Sequence, residues 1–190
     1  VTLEKTAAEA RACTLCAAHL PLGPRPILRV STTARLLITS QAPGTAAHAT
    51  GTPFNDPSGV RLRDWLGLTE DQFYDGTKLA ILPMGLCYPG RLPQGGDLPP
   101  RPECAPLWHT RLLPLLPTIR LTLLVGTYAI AHTIGPGPMT NHVRNFREYL
   151  PRTFPLPHPS WRTIGWAKRN PWFEEDVLPA LKKEVAALFS

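Results

Sequence analysis

The sequence predicts an α/β protein whose parallel sheet is covered by helices on both faces. Short apolar, β-branched runs recur at 35–39, 79–82, 121–125 and 153–156. Turn residues and then a helical pattern follow each run. The chain closes on a segment in which Val177, Leu181, Val185 and Leu188 fall at i, i+4, i+8 and i+11, which makes one buried stripe. Strands alternating with helices give a parallel sheet. In such sheets ligands bind beyond the carboxyl ends of the strands, which singles out the loops after the first and last runs.

Taken in order, a first helix is expected over 2–18. Thr69-Glu70-Asp71-Gln72 reads as a capping box. Asn170-Pro171 supplies an N-cap and an N1 proline to the last helix, with Glu174 and Glu175 in its first turn, where the helix dipole favours acid. The 23 prolines cluster in "LPLGPRP", "PGRLPQGGDLPPRPEC" and "LPRTFPLPHPS". Proline fixes φ and removes a backbone donor, so these are rigid connections and not disordered linkers. Apolar segments recur between them at short intervals, so one domain, 1–190, is expected, burying roughly 70% of the surface of the unfolded chain. No apolar run reaches the ~20 residues a membrane span needs. The N-terminal "VTLEKTAAEARACTLC" carries charges where a signal peptide needs an apolar core, so a cytoplasmic protein with reduced thiols is expected. The net charge of +6 suits a polyanion partner.

The four cysteines form a pattern: Cys13 and Cys16 as C-x2-C on the first helix, then Cys87 and Cys104 flanking a proline-glycine loop. Four buried small side chains with no metal are one reading. A four-thiolate site, zinc or iron–sulfur, is the other, and the wide spacing of the second pair leans toward a cluster. Such a site would pin the N-terminal helix to the 87–104 loop and place that basic loop against phosphates.

Several strings together resemble one family. "SQAPGTAAHATGTPF" is similar to motif A of the uracil-DNA glycosylase superfamily, in particular the "GEAPG…G-x-PF" form of its iron–sulfur (family 4) branch. "LPMGLCYPGRLP" is similar to the cysteine- and proline-rich segment of that branch, and "ECAPLWHTRLLPLLPTIRLTLLVGTYA" to its fourth-cysteine helix and third strand. "LPHPSWR" carries the His-Pro-Ser of motif B. The match runs in order over nearly the whole chain. The resemblance implies a three-layer α/β/α sandwich with a central four-stranded parallel sheet. It implies hydrolysis of the N-glycosidic bond of deoxyuridine flipped out of single- or double-stranded DNA, leaving an abasic site for base excision repair. It also implies a [4Fe–4S] cluster on Cys13, Cys16, Cys87 and Cys104, where the cysteine spacing leaves structural zinc as the alternative; a monomer is expected.

The resemblance assigns roles residue by residue. Phe54 stacks on the uracil face, a contact of about 1–3 kcal/mol. The small residues Ala42 and Gly44 let the backbone of 41–44 approach the base edge, since an anionic base is best met by backbone donors in a dry site. His158 donates to uracil O2 as charge develops there. Ser160 contacts phosphate, Trp161 and Arg162 press into the duplex, and Arg91 tracks phosphate. Of Trp161 and Trp166, at i and i+5, at least one serves packing.

Three departures qualify the resemblance. Motif A of the branch has Glu where this chain has Gln41, and the family 1 form "GQDPY" has Asp where it has Ala42. Neither usual carboxylate is available for water; Gln41 can hold water but not take its proton, and His48 is the nearest titratable substitute. Pro83 stands where the branch has an Asn that reads the base edge, leaving Asn55 or the backbone around Met84 and Gly85 to substitute. There is no "KRRIH" segment, the mark of relatives that bind covalently to the abasic site, and no motif lysine placed for a Schiff base. A monofunctional glycosylase is expected. Its rivals are the same fold excising another deaminated base such as hypoxanthine, a low-turnover binder of uracil or abasic DNA, and a basic zinc-site nucleic-acid binder.

Overall fold

The computed structural model describes residues 1–190. The four expected runs form β1 (Leu36–Thr39), β2 (Leu79–Ile81), β3 (Leu121–Val125) and β4 (Thr153–Leu156). They make one sheet of order β2-β1-β3-β4, parallel throughout, with Leu36 level with Leu79 and Leu121, and Val125 level with Leu156. Side chains alternate across the pleat. Leu36, Ile38, Leu79, Ile81, Leu123 and Val125 face one layer, while Leu37, Ala80 and Leu82 face the other.

The first layer contains α3 (Pro57–Leu66), α7 (Met139–Arg144) and the C-terminal α9 (Leu178–Phe189). The opposite layer contains α1 (Leu3–Arg11), α5 (Cys104–Leu112) and α6 (Thr127–Thr133). Short helices α2 (Thr45–Thr50) and α4 (Glu70–Phe73) lie between β1 and β2, and α8 (Arg162–Arg169) follows β4. The α4 start is the expected capping box, with both reciprocal bonds made between Thr69 and Gln72. Of the expected stripe, Val177, Leu181 and Val185 are fully buried, while Leu188 is only partly buried against the core.

Two expectations are corrected. The first helix stops at Arg11; Cys13 and Cys16 lie beyond it in a turn that runs into a 3-10 turn at Ala17–His19. Pro21 acts only further on: it keeps Leu20 extended, so the Ala17–His19 turn ends there. The turn brings both thiols to one cavity. The Asn170 side chain does not cap the last helix either: Nδ2 donates back to Trp166 O at 2.9 Å, closing α8. The next segment begins as a π-helical turn, Phe173–Val177, with Glu174, Glu175 and Asp176 in it.

Candidate active site

The sheet order places β1 and β3 side by side although the chain visits β2 between them, so a crevice opens at the carboxyl ends of the central strands. A cavity of about 110 Å³ lies there, lined by Ser40 after β1, Pro83 after β2 and His158 after β4, with Phe54, Asp56 and Asp97 completing its wall. The two loops singled out by the sequence therefore meet.

Phe54 is held by its backbone. Tyr74 Oη donates to Pro53 O at 2.6 Å and Arg63 Nη1 donates to Phe54 O at 3.0 Å. Gly59 on α3 lies so close that a Cβ there would stand 1.7 Å from Phe54 O. The Phe54 ring meets Phe73 edge-on at 5.9 Å. It is half-buried, with one side on the core and the other on the cavity.

His158 comes from the loop after β4. Thr163 Oγ1 donates to its carbonyl, and Arg61 Nη1 reaches from α3 to donate to Pro159 O at 2.7 Å. Its ring makes no hydrogen bond with the protein, and burial holds its pKa below the usual histidine value, against the opposing pull of Asp56. At neutral pH it is a neutral imidazole with a free N–H, an acceptable donor to a developing anion.

Of the other residues named from sequence, Ala42 and Gly44 line the cavity. Gln41 does not. It lies in a neighbouring cavity of about 210 Å³ with Ser160, Arg162, Thr163 and Trp166, which shares His158 with the first. His48 turns away on α2, its ring 6.3 Å from Tyr88 and its Nδ1 buried without a hydrogen-bond partner. Asn55 is exposed and donates to Thr50 Oγ1 at 2.8 Å. Met84 is buried in the core, and Gly85 lines the cysteine cavity. Pro83 lines the pocket as a wall, its carbonyl bonded at 2.7 Å to Nε2 of the buried His109.

Two acids that sequence reasoning passed over do line the pocket. Asp56 N-caps α3, its Oδ1 accepting Gly59 N–H at 2.8 Å; Asp56-Pro57 reads as a helix start in sequence, but nothing there announces a pocket wall. Asp97 comes from a glycine-rich hairpin far along the chain, and no local pattern marks it. Burial pushes its carboxyl above the usual carboxylate range, Arg91 opposing and Asp56 adding to the shift.

Beside the pocket, Trp161 is 70% exposed and Ile164 48%, with the Arg162 guanidinium 5.2 Å from the Trp161 ring centroid. A water-exposed tryptophan beside Arg162, at the start of a helix that ends in Lys168 and Arg169, suits a nucleic-acid surface. Trp166 instead packs inward, with Nε1 donating to Thr140 Oγ1 at 2.9 Å and its ring against Trp172 and Phe173.

The four thiols share a separate, small apolar cavity of about 20 Å³, walled by Leu20, Pro24, Pro26 and Trp108. Leu86 N–H donates to Cys104 Sγ at 3.3 Å. Burial pushes Cys87 up to about 11 and Cys104 up to about 12, so both are protonated at neutral pH, and a bound metal's positive charge would favour their thiolates. No three His, Cys, Asp or Glu side chains gather closely enough to hold a single metal ion. The donor set, four thiols with a backbone N–H on one sulfur inside an apolar wall, fits an iron–sulfur centre.

A parallel sandwich with an aromatic wall and a neutral histidine beyond its strand ends suits an enzyme that grips one flat ring and accepts charge from it. A family model for the Uracil DNA glycosylase superfamily matches residues 29–182, and the chain belongs to that superfamily. Membership carries the reaction class, hydrolytic removal of a base from DNA in DNA repair, and DNA as partner. No helix is long and apolar enough to cross a membrane.

Proposed function

We propose that this member of the superfamily removes uracil from DNA as a monofunctional glycosylase. The observation that carries the proposal is the single cavity in which Phe54 and His158 meet. Phe54 stacks on the flipped base, a contact of about 1–3 kcal/mol. Neutral His158 donates to the base oxygen as the glycosidic bond breaks, and one pre-placed donor of this kind is worth about 3–4 kcal/mol. Trp161 and Arg162 face the duplex where the base has left. No lysine lines the pocket, which supports hydrolysis by water over a Schiff base. Cys13, Cys16, Cys87 and Cys104 would hold a [4Fe–4S] cluster, whose chemistry here is to bind the thiolates and fix the 87–104 segment. The protein works as a single-domain monomer, and its free thiols suit the cytoplasm.

A second reading, excision of hypoxanthine, is favoured by Pro83. That residue offers no side-chain reader, and its carbonyl is already taken by His109. The experiment uses oligonucleotides carrying one uracil, hypoxanthine or xanthine, double- and single-stranded, incubated with the protein and then treated with alkali. Cleavage at uracil is expected. Cleavage at hypoxanthine alone contradicts the uracil assignment, and binding to uracil DNA without cleavage makes the protein a binder.

A further inference from the structure

We infer that Asp97, brought to the pocket by the 87–104 segment, orients the attacking water, with Asp56 as its partner. This rests on the glycosylase reading above and supplies what that reading lacks, a carboxylate. Neither motif A position that would carry one supplies it: Gln41 lies in the neighbouring cavity, and Ala42 lines this cavity with only a methyl group.

The geometry converges on Gly44. A Cβ at that residue would lie 3.8 Å from Asp97 Oδ2 and 4.0 Å from Asp56 Oδ2. Both carboxylates are thus aimed at one bare Cα, in the cavity that also holds Phe54 and His158. Asp56 is fixed, because its Oδ1 accepts Gly59 N–H and its Oδ2 is left free. Asp97 is free as well, since the ion pairs of the chain lie elsewhere.

The position of Asp97 is also mechanically defined. Leu92 N–H donates to Gly96 O at 2.8 Å and Leu98 N–H to Gly90 O at 2.9 Å, with Arg91 and Asp97 bridged antiparallel. The tip rests on the motif B helix: a Cβ on Gly96 would lie 3.1 Å from Arg162 Nη1. The ends of the segment, Cys87 and Cys104, line the thiol cavity. A loop tied at both ends and braced at its tip presents its acid in one place.

Asp97 is faced by Arg91 and Tyr88 from its own segment and by Asp56 from α3, with Arg162 at the hairpin tip and His158 on the same cavity. Two neighbouring carboxyls raise one another's proton affinity, which makes the pair a better proton acceptor near neutral pH than an isolated acid. In the step, the C1′–N bond breaks with its electron pair passing to the base. Water oxygen bonds C1′ and releases one proton to the Asp97 carboxylate; that proton then passes by way of solvent to the base anion on release, which restores the carboxylate. Nucleoside and water become free base and abasic sugar.

The test compares wild type, Asp97→Asn and Asp97→Glu in single-turnover base release across pH, with abasic-DNA affinity by fluorescence anisotropy and a thermal melt of each. Asp97→Asn is expected to slow release about 100-fold with affinity and melting unchanged. Wild-type rate should rise with pH through an ionisation above that of an ordinary Asp, near 3.9. That limb should vanish in Asp97→Asn and return in Asp97→Glu with part of the rate. An active wild type with Asp97→Asn within about two-fold and the limb intact overturns the role of Asp97 and leaves the glycosylase reading standing. Loss of rate with loss of affinity, or without rescue by Glu, also overturns it. A wild type inactive on every damaged base removes the glycosylase reading and this inference together.

Discussion

Phe54 alone among non-glycine residues has a left-handed backbone, φ 59°. Such a conformation costs roughly 1–3 kcal/mol and persists only where the surroundings over-determine it. Here Tyr74, Arg63 and the missing side chain of Gly59 do so. Gly59→Ala is therefore expected to destabilise the fold by about 2–3 kcal/mol, lowering the melting temperature by roughly 2–4 °C per kcal/mol, and to lower base release by displacing Phe54; an unchanged melt contradicts the clamp. His158→Ala should cost about two to three orders of magnitude in single-turnover rate with DNA affinity kept, and an unchanged rate refutes its role as donor. Phe54 and His158 were legible in sequence because each sits inside a short motif. Asp56 and Asp97 were not. One reads as an ordinary helix cap, and the other reaches the pocket only through a tertiary contact more than forty residues along the chain from Phe54, which no local pattern records.

At the scale of elements, the four strands and the α9 stripe could be read directly, because burial on both faces writes unbroken apolar runs and helix burial writes a 3.6-residue period. The ends of elements were less legible. The first helix stops at Arg11, short of the cysteine turn, and no proline or glycine adjacent to that end marks the stop in sequence. Asn170 closes the helix before it, not the one after, since its side-chain amide finds Trp166 O. Gln41 belongs to the motif yet lines the neighbouring cavity, while Ala42 beside it lines the pocket. The element on which the proposals bear most is the 87–104 segment: its end cysteines line the thiol cavity, where a cluster would anchor it, and Asp97 in its middle lines the pocket. Cys104→Ala is expected to abolish bound iron and to make this segment more sensitive to limited proteolysis. Unchanged iron content or an unchanged cleavage pattern contradicts that anchoring.

Across the whole molecule, two histidines tie stability to pH. Burial lowers the pKa of His109 and of His158 below the ordinary value near 6.5. Each binds its proton more weakly folded than unfolded, so the stability this contributes is fully present above pH ~6.5 and is lost as pH falls through the folded values. Melting temperature should thus decline on acidification from about pH 6.5 toward 5; a midpoint that stays flat or rises over that range contradicts neutral burial of both rings. His109 also satisfies the buried Pro83 carbonyl at the pocket wall, and His109→Leu should cost about 1–3 kcal/mol by orphaning it. The same folded frame, with positive charge and an exposed Trp161 near a cavity walled by Phe54, supports the proposed reading, in which DNA is held while one base leaves the stack. The most direct measurement is the release of free uracil from a duplex carrying one uracil, under excess protein, with the DNA backbone followed in parallel. A monofunctional uracil glycosylase releases one uracil per duplex and leaves the strand intact until alkali is added. Duplex held by the protein with no free uracil released would contradict that account.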